Sequence, residues 1–175
     1  MAIRSDQYHL AQISEILYHH SVNYPGSPTQ ILDHVFIGNY KDAENIAKLQ
    51  SHGITHVLNC AAFRKCLRNP YPTDSGITDY EQFEADDCES YSILQHFPRA
   101  REFIDRAKHQ GGKVLIHCAM GVNRSGAICV AYVMVDQKVT LIDAIRKVKG
   151  KRNAVLCNKG FQRQLIGFAR QKGLL

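Results

Sequence analysis

The chain reads as an α/β fold with a mixed, largely parallel central sheet flanked by helices. Three observations predict it. Short apolar segments of strand length stand at Val35–Ile37, Ile54–Asn59 and Val114–Ile116. Apolar stripes of helical spacing lie between and after them. Glycines mark the changes of type, Gly53 after the first stripe and Gly111-Gly112 after the second.

Taken in order, Leu10, Ile13, Ile16 and Leu17 predict an amphipathic N-terminal helix. Ser21–Pro28 (SVNYPGSP) holds two prolines and a glycine and predicts a linking loop. Residues 1–28 are thus expected as a helix and linker packed on a single unit over 29–175. Val35–Ile37 opens that unit as a strand. Asp42–Gln50 follows as one helix, with an acidic first turn and the stripe Ala43, Ile46, Ala47, Leu49. Ile54–Asn59 is β-branched and apolar, hence a strand. Arg64 to Thr78 is rich in Pro, Asn, Asp and Gly and predicts a loop, and Tyr80–Glu84 a further strand. Pro98–His109 carries the stripe Ala100, Phe103, Ile104, Ala107 and predicts a helix. Val114–Ile116 is the last strand. Helices over 124–137, 140–149 and 158–171 complete the chain, with Thr140 and Asn158 as N-caps. In sheets of this kind, loops leaving the carboxyl ends of strands bind ligands.

At 175 residues, 45% hydrophobic and 22% charged, the chain has the composition of one globular domain, not of collagen, mucin or disorder. The net charge of +6 is uneven. Residues 1–139 carry 13 basic and 15 acidic side chains, whereas residues 140–175 carry nine basic and one acidic. That basic C-terminal stretch predicts a face for acidic parts of a partner. The six cysteines include no CxxC pair, so no zinc site of usual spacing is expected. No metal and no cofactor is expected. No secretory leader or membrane-length apolar run is visible, which predicts free thiols in the cytoplasm or the nucleus.

One strand-to-helix loop carries chemistry: His117-Cys118-Ala119-Met120-Gly121-Val122-Asn123-Arg124-Ser125-Gly126. A short loop curling into a helix N-terminus aims its backbone N–H groups at an anion. Gly121 permits the turn, and Arg124 adds a bidentate fork that matches two phosphate oxygens. The same field lowers the pKa of Cys118, so the anion cradle also activates a nucleophile. Ser125 is placed to hydrogen-bond the thiolate. His117 is expected to orient the loop through its ring nitrogens, or to tune Cys118 electrostatically.

The loop HCAMGVNRS resembles the protein tyrosine phosphatase superfamily. Val35–Tyr40 (VFIGNY), His52–Cys60 (HGITHVLNC), Asp74–Thr78 (DSGIT) and Asn158–Leu165 (NKGFQRQL) extend the resemblance to its atypical dual-specificity phosphatases of the vaccinia-H1-related type, over about residues 30–172. The resemblance implies a protein tyrosine phosphatase-like fold and a catalytic domain over 29–175. It implies hydrolysis of phosphotyrosine and phosphoserine/phosphothreonine in proteins through a cysteinyl-phosphate. Cys118 is then the nucleophile, Arg124 the phosphate clamp, and Ala119, Met120, Gly121, Val122 and Asn123 the loop that binds substrate. For the general acid, Asp86 and Asp87 compete; the family pattern of Ala-x-Asp before a helix with Phe-Ile-Asp points to Asp87. Acidic residues crowd this region, with no lysine or arginine between Asn69 and Pro98. That crowding is expected to raise one carboxyl pKa. The resemblance also implies that Arg152 contacts a substrate phosphate and that Asn158 braces neighbouring loops. Cys88, beside the acid, is weighed as a redox partner thiol, and Cys60, Cys129 and Cys157 as core residues.

The loop departs from the family prototype at Met120 and Val122, where acidic and aromatic residues are usual; this gives a more apolar rim. Residues 64–73 form an insertion at the pocket edge. The expected partner is a phosphoprotein, with nucleic acid disfavoured, no membrane, and the oligomeric state open. Alternative readings are an RNA 5′-polyphosphate or phosphoinositide phosphatase, and a phospho-binding scaffold with little turnover.

Overall fold

The centre of the fold is a fully buried strand. The computed structural model describes residues 5–18, 27–63 and 68–175. Strand β5 (Val114–His117) is buried at all four positions, because it runs between β2 (Val35–Gly38) and β3 (His56–Asn59) and is covered on both faces. The sheet order is β1-β2-β5-β3-β4, with β1 at Thr29–Leu32 and β4 at Asp79–Gln82. All pairings are parallel except β1 with β2, so the mixed, largely parallel sheet expected from the sequence is what forms.

Alternation along these strands divides the core in two. Val35, Ile37, Leu58, Val114 and Ile116 face one cluster, which is filled by α4 (Phe97–His109), α5 (Arg124–Gln137), α6 (Leu141–Lys151) and α7 (Lys159–Lys172). Phe36, Val57 and Leu115 face the other, built with Ala43, Leu49, Ile54 and Ile77. Helix α5 is buried from Ser125 to Met134, as befits a helix packed on every side. Thr140 and Asn158 cap α6 and α7 as predicted, each accepting a backbone N–H three residues on. Helix α1 (Asp6–Tyr18) lies on α6 and α7, fastened by Arg170–Asp6 and by Lys159 Nζ donating to Ser14 at 2.7 Å.

Three elements differ from expectation. The helix predicted over 42–50 is two, α2 (Tyr40–Glu44) and α3 (Ile46–Ser51). Asn45 ends the first and caps the second, its side chain accepting from Lys48 N at 3.0 Å, which competes with helix continuation. Strand β1 was not anticipated, being four residues with no alternation of their own. A 3₁₀ turn at Ile93–His96 precedes α4. The linking loop expected at 21–28 lies outside the described residues as far as residue 26, as do Tyr24, Cys66 and residues 64–67 of the expected loop. Among the described residues, no helix is long and apolar enough to cross a membrane.

Candidate active site

Strand β5 delivers Cys118 to the carboxyl end of the sheet, and the chain then folds back to start α5 at Arg124. Gly121 makes the fold-back possible. Its φ is +66°, and a Cβ there would sit 2.4 Å from the Gly38 carbonyl oxygen and 2.6 Å from Arg152. The amide of Gly121 donates to Cys118 Sγ at 3.2 Å, and the Ser125 hydroxyl lies 3.2 Å from the same sulfur. Cys118 is only 2% exposed. Burial by itself pushes its pKa up. The Ser125 hydroxyl and amide, the Val122 amide and the Arg124 charge together outweigh burial, and the thiol's pKa is lowered.

Arg124 is held by one end only. Its Nη1 donates to the Ala85 carbonyl at 3.0 Å, while its buried Nε has no hydrogen-bond partner. A buried guanidinium N–H without an acceptor is costly, and an anion in the loop would supply one. The Ala85 contact also ties the loop to the segment that bears the acidic pair. Of that pair, Asp87 receives two side-chain amides: Asn123 Nδ2 to Oδ2 and Asn158 Nδ2 to Oδ1, each at 3.0 Å. Asn158 therefore braces three segments. It bonds Asp87, donates its N–H to Asn123 Oδ1 at 3.0 Å, and caps α7 through Phe161 N at 3.1 Å. Gly160 lets α7 approach so closely, since a Cβ there would stand 1.9 Å from the Glu89 carbonyl oxygen.

Cys118, Arg124 and Asp87 thus converge on one loop. Residues 35–171 match the dual specificity phosphatase catalytic domain. The chain belongs to that family. Human dual specificity protein phosphatase 26 is 39% identical over 138 residues, which cover 78% of this chain and 64% of that protein. The chain therefore spans somewhat less than two-thirds of the length of that relative, and 13% of the Drosophila protein phosphatase Slingshot, to which it is 34% identical. Among solved structures, human tyrosine phosphatase-like serine/threonine/tyrosine-interacting protein superposes with a TM-score of 0.70 at 32% identity, over 82% of this chain and 96% of that one. The Orf virus tyrosine phosphatase OH1 gives 0.71 at 25% identity, over 93% and 98%.

Around this dual-specificity phosphatase loop, several expectations need correction. Arg152, expected at a substrate phosphate, is turned to internal partners. It is 4% exposed, and it donates to the Gly121 carbonyl at 2.8 Å, Thr29 Oγ1 at 3.0 Å and the Ile37 carbonyl at 3.4 Å. Its position beneath the loop makes it a strut. The acidic crowd around Asp87 is also less concentrated than the sequence suggests, because arginines from distant helices enter it: Arg99 pairs with Glu81, Arg106 with Asp79 and Arg163 with Glu89.

His117 is buried, and burial brings its pKa to about 4 against opposing contributions from the Cys118 backbone and Asp42. Its Nδ1 makes no hydrogen bond. A neutral ring gives Cys118 no cationic field. Met120 is 71% exposed and makes the rim apolar there, while the Val122 carbonyl accepts from Leu156 N at 2.9 Å. Cys88 is exposed beside Ser90; the thiol that shares the electrostatic surroundings of Cys118 is Cys60, raised by burial and by Cys118 itself. Cys60 follows the registered pair Asn59 and His117 on adjacent strands. Cys129 is a core residue as expected, whereas Cys157 is exposed. The sequence had no signal for the role of Ala85, which acts through its carbonyl alone.

Proposed function

We propose that the chain hydrolyses phosphate monoesters of tyrosine and of serine or threonine in proteins. The observation that carries this is the lowered thiol of Cys118, cradled by Gly121 and Ser125 in the loop that also holds the free Nε–H of Arg124. The Cys118 thiolate attacks phosphorus, and the P–O bond to the substrate oxygen breaks as Asp87 donates a proton to that oxygen. Arg124 and the loop amides bear the charge of the transferring phosphoryl group. Asp87, now a carboxylate, takes a proton from water as that water attacks the phosphocysteine. The S–P bond breaks, and the departing thiolate is received by the Ser125 hydroxyl.

A fold of this size and an open rim at Met120 favour shorter phosphoserine and phosphothreonine beside phosphotyrosine. The test is turnover of a generic aryl phosphate by the intact chain. Cys118→Ser and Arg124→Ala are each expected to cut it by about 10³-fold or more, and acid quenching of Asp87→Asn is expected to trap phosphate on Cys118. A folded native chain that binds phosphopeptides without turnover would make it a binder instead.

A further inference from the structure

Next to the phosphate loop, on its β3–β4 side, lies a cavity of about 580 Å³ that has no part in the Arg124 and Asp87 chemistry. Tyr40, Phe63, Tyr71 and Tyr80 wall it, and it runs through to Cys118 and Ala119. Its two inner aromatic walls are pinned by their polar ends. The Tyr71 hydroxyl donates to the Ala43 carbonyl at 2.8 Å; the Tyr80 hydroxyl accepts from Asn59 at 3.1 Å and donates to Gln82 at 3.0 Å. Their rings stand 6.1 Å apart and are left as rigid apolar surface.

The outer wall is unusual in another way. Phe63 is 92% exposed and Tyr40 46%, while Met120, the chain neighbour of Ala119, is 71% exposed. These are three of the six large apolar side chains exposed among the described residues, and all three stand at one end of the sheet. Clustered apolar exposure of this kind marks a surface that binds something. Continuity with Cys118 indicates what that is. Any residue whose phosphate reaches the thiolate carries its own chain neighbours across this opening. Charge narrows it further: Glu44 is the one charged side chain among the described residues of the wall. An acidic neighbour is disfavoured there.

We propose that this groove is a specificity site that takes an apolar, preferably aromatic, side chain next to the phosphoresidue of a protein substrate. It rests on the phosphatase reading above. The experiment compares kcat/KM for phosphotyrosine peptides that differ at one flanking residue, Phe, Ala or Glu, with an aryl phosphate run alongside. The native chain is expected to prefer the Phe peptide over the Ala peptide by roughly tenfold, and the Glu peptide is expected to be poorest. Phe63→Ser and a groove-filling Ala62→Phe are each expected to bring the Phe/Ala ratio toward one. Because each ratio is taken within one protein, a general loss of folding or of catalysis cancels. A ratio of one in the native chain, or a preference that survives both substitutions, overturns the proposal. So does a native dimer in sedimentation that Phe63→Ser dissociates, since the groove would then hold a second copy. If the aryl phosphate is not turned over, the phosphatase reading has failed separately. The same peptides, titrated onto Cys118→Ser protein by fluorescence anisotropy, then decide the groove by the same ratio of affinities.

Discussion

Two regions of this molecule invite an anion, and they use positive charge in opposite ways. The loop from His117 to Ser125 holds a single cation, Arg124, and leaves part of it unsatisfied. The last 36 residues hold nine basic side chains, and the structure gives each an internal partner. Lys149, Lys151 and Arg152 reach backbone carbonyls, and Arg146, Arg163 and Arg170 reach Asp143, Glu89 and Asp6. Lys147 and Lys159 donate to Gln137 and Ser14, and Lys172 lies over the Phe168 ring. Beside the expected face for acidic partners, this stretch therefore has a structural use. Formal charge measures neither availability nor field. A loop with one cation and inward amides concentrates potential on one point, whereas six of the nine C-terminal cations tie one element to another.

The contrast can be broken at either end, and the largest effect is expected at the carboxylate. Asp87→Asn should reduce kcat on a phosphoserine peptide by about 10² to 10⁴-fold. Its effect on an aryl phosphate should be smaller, because a phenolate leaves with less help. Equal losses on both substrates would remove Asp87 from the acid role.

The next effect concerns pH. His117 has a folded pKa of about 4 against an ordinary 6.5, so the unfolded chain takes the proton first. Stability from this residue is intact above pH 6.5 and is lost as pH falls toward 4, by about 3 kcal/mol in all. His34, His56 and His96 are also lowered by burial, so the comparison is between the native chain and His117→Gln at each pH. Urea unfolding should show a shallower acid limb in the variant, and parallel limbs would place the sensitivity elsewhere.

Arg152 tests the strut directly. Arg152→Ala removes the guanidinium bonds to the Gly121 and Ile37 carbonyls and to Thr29 Oγ1, at a cost of about 1–3 kcal/mol. Chemical denaturation should show that loss, with KM for a phosphopeptide and for an aryl phosphate changing in parallel. A KM increase confined to the phosphopeptide would restore Arg152 to substrate contact. Smallest of all, Arg170→Ala and Lys147→Ala should each shift stability by no more than about 0.5 kcal/mol, with phosphopeptide kcat/KM unchanged. A marked fall in that kcat/KM would make the basic face a docking surface.

Local order made much of this readable. The helix over 124–137 was legible to the residue because a small-residue loop precedes it and apolar residues fill every face. Cys118, Arg124 and Ser125 were legible because their spacing in one short loop nearly determines their geometry. Asn45 was not, since an Asn inside a helical stripe is read as part of the stripe until its side chain is seen capping a new helix. The burial of Arg152 was illegible for a related reason: sequence shows a basic helix end, while burial depends on Thr29, Ile37 and Gly121 arriving from elsewhere.

By itself the sequence determined the alternating α/β layers, the caps at Thr140 and Asn158, and the nucleophile-to-arginine loop, all of which follow from contacts within a few residues. Only the tertiary structure decided that Asp87 rather than Asp86 receives the Asn123 and Asn158 amides. The same holds for the support of Gly121 by Arg152 and for the aromatic groove that opens beside Cys118. Each of these joins segments 30 to more than 100 residues apart in the chain, and hydrogen bonds and burial at that separation are set by packing, which local sequence pattern does not encode.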